Sequence, residues 1–205
     1  MVDMAAVDAH TGFQPYESVI QAHLYSVITA NATAFFIGDL VKHSGIALAT
    51  PHKGTLLQVV QHAAGADGVG LGAVIGCFDH TMKPLLYIPT STTGNGTIAG
   101  YVMVADHPDQ IYIAHENGGT GSLVAGDIGL NADAIATHAG SSNTGLSGME
   151  IDSNSSASTA TLALKILNVH EEDTLASAST TTGTHCRFIV KINTSSLGDN
   201  VKGQS

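Results

Sequence analysis

Tryptophan is absent from this chain, basic residues are scarce, and cysteine occurs only twice in 205 residues. Each shortage excludes something. Six lysines and one arginine, Arg187, are scattered along the whole length. Non-specific nucleic-acid binding works by neutralising phosphates with clustered cations, so neither DNA nor RNA is expected as a direct partner. The two cysteines, Cys77 and Cys186, form no CxxC pair, which rules out a thiolate zinc cluster. Both lie in apolar runs. A disulfide between them stays open, but buried free thiols are the preferred reading. With no Trp, five Tyr and five Phe, few aromatic platforms remain for stacking on sugars, and a lectin is disfavoured.

Charge is also sparse. Charged residues make up 12% of the chain and the net charge is −10, whereas about a quarter of a soluble domain is usually charged. The polar surface must come from Ser, Thr, Asn, Gln and Gly. Such a surface is poor in the lysines and glutamates that interface cores avoid, so it suits burial against partners. The acidity itself would suit docking on a basic surface, but a role in solubility is the preferred reading. Residues Met1–Thr11 carry neither a basic nor an apolar run, so no signal peptide is expected. No stretch approaches the roughly 18 apolar residues needed to cross a bilayer as a helix, and no membrane partner is expected.

What the chain does have is short apolar segments punctuated by Gly, Ser and Thr. Residues 1–17 read as an extended N-terminal arm. In 18–30, Val19, Ile20, Leu24, Val27 and Ile28 fit a helical face, while the β-branched residues and Tyr25 favour a strand, which is the preferred reading. The run AFFIGDLV, from Ala34, sets a Gly-Asp turn between two apolar pieces. Thr55–Val60, Leu85–Pro89, Ile98–Val104 and Gln110–Ala114 are further strand candidates. In HCRFIVKIN, Cys186, Phe188, Val190 and Ile192 share one face, and Leu162, Leu164 and Ile166 alternate likewise in TLALKILNV. Period two over this length is a β signal. Residues 117–148 read as a long Gly-rich excursion with a short helical or turn candidate at Asp127–Thr137. The expected fold is all-β: a β-barrel or jelly-roll-like sandwich over 18–195 with long Gly/Ser-rich loops and a C-terminal tail at 196–205.

Motifs for catalysis fail one by one. Gly70, Gly72 and Gly76 resemble a dinucleotide loop, but no helix follows to meet a pyrophosphate. Ser147 has Gly145 before it, but Met149 stands where a nucleophile elbow needs a second glycine. His170-Glu171-Glu172-Asp173 and Asp106-His107-Pro108-Asp109 read as solvated turns. The eleven histidines form no HxH, HxxxH or HExxH, so each is read as a turn or surface residue; a site assembled from distant positions is not visible in spacing. Histidine-rich contacts would make an assembly pH-sensitive. The expectation is therefore no enzyme activity, no catalytic residues, no cofactor and no metal.

Three segments carry a family resemblance: AFFIGDLVKHSG (34–45), VGLGAVIGCFD (69–79), and DIGLNADAIATHAGSSNTGLSGMEIDSNS (127–155) with the following LALKILNV (162–169) and FIVKIN (188–193). Together they resemble the capsid decoration, or cement, proteins of tailed bacteriophages. The chain departs from that family in lacking a tryptophan near YIPTST (87–92) and in its histidine-rich N-terminal half. The resemblance implies an all-β body, a homotrimer on the outer capsid surface of the virion, the major capsid protein as partner, and no catalytic residues. The alternative is another virion component, such as a head fibre, tail or host-recognition module. On the cement reading, the arm 1–17 and the excursion 117–148 are the expected contacts.

Overall fold

The computed structural model describes residues 10–44, 57–62, 69–90, 94, 98–119, 121–171 and 185–198. Thirteen strands lie within them: β1 Gln14–Pro15, β2 Ala22–Ile28, β3 Leu40–His43, β4 Val59–Gln61, β5 Gly72–Asp79, β6 Pro84–Leu85, β7 Ile98–Ala105, β8 Ile111–His115, β9 Asn131–Ala132, β10 Ala134–Ile135, β11 Glu150–Ile151, β12 Leu164–Val169 and β13 Arg187–Ile192. The only helical pieces among the described residues are two 3-10 turns, Ala125–Asp127 and Ser153–Ser155.

The strands form two main sheets, all paired antiparallel. The first runs β2-β7-β5-β3-β4, with β6 added on β5. Its interior strand β7, paired with β2 on one side and β5 on the other, has seven of eight residues buried. That strand reads as continuously apolar because a central strand covered on both faces has no polar side to show. The second sheet runs β1-β8-β13-β12-β9. Here β13 alternates half-buried and buried residues along its whole length, as the period-two pattern of Cys186 to Ile192 predicts. A two-stranded ribbon, β10-β11, completes the body.

Two cores result. One lies against the first sheet and gathers Tyr25, Val27, Phe35, Val41, Val74, Cys77, Ile88, Val102 and Val104. The other joins the two sheets: Leu40, Ala73 and Ala105 of the first meet Tyr112, Ala114, Leu164, Ile166, Phe188 and Val190 of the second. The Tyr112 hydroxyl donates to the Ala105 carbonyl at 2.6 Å across that junction. A parallel bridge between Gly70 and Ser195 ties the sheets a second time. The first sheet curls enough that its edge strands touch through one bridge, Ser26 with Gln58. No closed barrel forms among the described residues, so of the two expected forms the chain takes the sandwich.

Local expectations fare unevenly. Strands stand at 22–28, 98–105, 111–115, 164–169 and 187–192, close to where the apolar runs and their alternation place them, whereas of Leu85–Pro89 only Leu85 lies in a strand, β6. Residues 1–9 of the expected arm, Thr55 and Leu56 of a strand candidate, residues 91–93, 95–97 and 172–184, and the expected tail beyond 198 lie outside the described residues. The described part of the N-terminal segment is docked on the body: Phe13 is fully buried, and Gln14–Pro15 pairs with Tyr112–Ile113. Asp127–Thr137 forms no α-helix. Gly129, at φ +91°, donates its N–H to the Ile166 carbonyl, and Asn131–Ala132 then pairs with β12. Pairing with an existing strand outweighs local helix propensity in this stretch.

Glycine matters at particular places. A Cβ on Gly72 would overlap the Ala105 carbonyl oxygen on the neighbouring strand, whereas one on Gly76 would only touch the Phe78 ring at 3.5 Å. Gly72→Ala is therefore expected to lower stability by about 1–3 kcal/mol, and Gly76→Ala to change it by no more than about 0.5 kcal/mol. Urea denaturation of the two variants makes the comparison.

Candidate functional site

Polar groups inside this sandwich are gathered into a few clusters. The most connected centres on Asp39, which is 1% exposed. Gly38, at φ +94°, turns the chain so that the Asp39 carboxylate folds back on the Phe36 N–H, which it accepts at 2.8 Å. The same carboxylate accepts from Gln61 Nε2 of β4 and from Ser147 Oγ of the excursion. Burial holds its carboxyl above the usual range, against the lowering effect of these three donors. Ser147 Oγ also accepts from the Met149 N–H at 3.0 Å. The hydroxyl that sequence spacing offers as a near-nucleophile is thus a buried donor to a carboxylate.

Asp106 is also fully buried, contrary to its reading as part of a solvated turn. It accepts from His23 Nδ1 at 2.8 Å and from the Tyr25 hydroxyl. Burial, then the adjacent Asp106, raises the Tyr25 pKa well above its ordinary value. A tyrosine this enclosed acts as a packed donor. Glu116 is the third buried carboxyl. It accepts the Leu123 N–H at 2.9 Å, and burial again raises its pKa. Cys77 and Cys186 are both buried and not disulfide-bonded. Burial pushes the Cys77 thiol up to about 12, which removes the thiolate that reactive chemistry requires.

The remaining cluster joins residues that no spacing rule connects. Glu150, 1% exposed, sits on β11 opposite Ile135 of β10. Its Oε1 meets His10 Nδ1 at 2.9 Å and its Oε2 meets His138 Nδ1 at 2.8 Å. The two imidazoles stack with centroids 3.9 Å apart and planes 22° from parallel. Close backbone approach makes the convergence possible. Gly12, at φ +67°, has no room for a Cβ between Gly38 O, at 2.6 Å, and Ser147, and the Phe13 N–H donates to the Gly38 carbonyl at 2.8 Å. This lays residues 10–13 along the excursion and delivers His10 to Glu150. The sequence separations are 140 and 12 residues, so inspection of spacing misses the group entirely.

Gly70, Gly72 and Gly76 lie on or beside β5 and open no helix, so they cannot cradle a pyrophosphate as that motif requires. Of the acidic run 170–173, His170 and Glu171 follow β12, and Glu172 and Asp173 lie outside the described residues. A mostly apolar cleft of about 770 Å³ opens beside Ile28, Ala32, Phe35, Val59 and Ile135. Comparison with protein-family models, with curated proteins and with solved structures finds no match.

The buried carboxyls set a pH dependence. Asp39 and Glu116 both have raised folded-state pKa values, so between the unfolded value of about 4 and its own folded value each binds a proton in the folded state that the unfolded chain has released. Stability from these groups falls as pH rises from there through their folded values. Asp39→Asn is expected to lessen that slope and leave the part due to Glu116, as measured by urea midpoints across the acidic range.

Proposed function

We propose that this chain is a capsid decoration protein of a tailed phage, a homotrimer that binds the outer surface of the major capsid lattice and clamps neighbouring shell subunits. The observation that carries the reading is the surface of the Gly-rich excursion. Val124 and Ile128 stand 43% and 37% exposed on it, and Leu167 stands 39% exposed on β12. The Gly129-to-Ile166 hydrogen bond holds the excursion against that strand, so Ile128 and Leu167 flank one junction. Exposed apolar side chains on a sparsely charged surface favour a protein contact that excludes water. The all-β body and the 127–155 sequence resemblance support the same reading.

A cement role also suits the physics. Internal pressure strains the shell where its subunits meet, and a bound protein adds contact area there. Repetition of a modest contact over a trimer gives avidity without any single strong site. The low charge limits the desolvation cost of each contact.

Ile128→Asp tests the reading, since an exposed position changes surface chemistry without disturbing the core. The expected result is a folded variant that no longer co-sediments with shells assembled from the accompanying major capsid protein, while the wild type binds at a fixed ratio and raises the temperature at which shells rupture. Failure of the wild-type chain to bind or stabilise shells would reject the cement role, and binding to host-envelope glycans instead would favour a host-recognition module.

A further inference from the structure

We propose that His10, His138 and Glu150 form a binding site for a divalent transition metal of the zinc type, which clamps the N-terminal segment to the Gly-rich excursion. The inference stands on this cluster alone and is independent of any role on a capsid.

One ligand atom from each residue lies within 4.8 Å of the other two. Two imidazole nitrogens and a carboxylate oxygen are the donor set of many zinc, copper and nickel sites, and differ from the all-oxygen sets that calcium and magnesium prefer. Three protein donors also leave a coordination position for water. The electrostatics favour a cation. Glu150 is buried, and a buried carboxylate is costly unless compensated. Among the described residues its partners are two imidazoles, and neither lysine nor arginine pairs with it. A dication among the three groups would balance the carboxylate charge, with metal bonds taking the place of the two Nδ1 contacts to Glu150.

Access and support are both present. His138 is 43% exposed and His10 22% exposed by side chain, whereas Glu150 is 1% exposed. An ion can therefore reach the cluster from solvent and meet a carboxylate held rigidly from below. Glu150 is fixed by its strand pairing with Ile135. A Cβ on Gly148 would crowd the His138 and Ala139 carbonyls, so that glycine lets the two limbs of the excursion close on each other. Metal bound here would link positions 140 residues apart, and binding that is confined to the folded state stabilises it by mass action.

The test uses the full chain stripped with EDTA. Zinc chloride titrated calorimetrically is expected to bind with one equivalent and to raise the melting temperature, and EDTA to reverse the rise. Cobalt chloride should give the visible bands of a nitrogen-ligated ion. His10→Ala and His138→Ala, both at partly exposed positions, should each weaken zinc binding at least about tenfold and abolish the stabilisation. Other histidines offer a control: zinc binding that is equal in wild type and both variants would overturn the site, as would the absence of stoichiometric binding. Should a variant fail to fold, hydrogen exchange of wild-type residues 10–13 decides. Slowing by zinc supports the clamp, and unchanged exchange overturns it.

Discussion

The buried carboxylate of Asp39 accepts hydrogen bonds from three segments: its own turn at Phe36, Gln61 on β4, and Ser147 on the excursion. A carboxylate in such a place is tolerated only when donors surround it. The converse also holds, because each donor is buried or half-buried and would be left unpaired without it. The turn before β3, the edge of the first sheet and the far limb of the excursion are therefore fixed relative to one another by one group. Met149, two residues past Ser147, accepts the Leu40 N–H through its sulfur at 3.3 Å, so the contact extends directly into the core that joins the sheets.

From this anchor the rest of the surface follows. Residues 147–150 are held against the start of β3, which places Glu150 against His138 and beside the docked N-terminal segment. The other limb of the excursion runs out toward β12, carrying Val124 and Ile128 to solvent. A long irregular segment normally has too few partners to hold one shape. Here it is pinned at Asp39, at the Gly129-to-Ile166 hydrogen bond and at the β9 pairing. Exposed apolar groups on a pinned segment are pre-organised for contact, which lowers the ordering cost of binding.

The sheets are legible in the sequence, while the polar interior is not. Cys186, Phe188, Val190 and Ile192 announce β13 because alternate burial leaves a period of two. A central strand such as β7 is harder to read because both its faces are covered, yet Ile98–Ala105 still shows as a short apolar run between turns. Asp39 and Asp106 give no such signal: an Asp after glycine or before His-Pro looks like a solvated turn, and burial depends on which distant donors arrive. His10, His138 and Glu150 are the extreme case. They meet because Gly12 and Gly38 allow two backbones to touch, and that is a property of tertiary packing. At Asp127–Thr137 the turn reading holds at the start, where the Leu130 N–H meets the Asp127 carbonyl, and the helical one fails because the backbone beyond it pairs with β12 instead of with itself.

Cryo-microscopy of decorated capsids is the most direct measurement of the central claim, that the pinned excursion is the surface this chain presents to an assembly. The account predicts trimeric density on the outer shell with Val124, Ile128 and Leu167 facing the major capsid protein. Particles that carry this chain with that face turned to solvent, or that do not carry it at all, would contradict it.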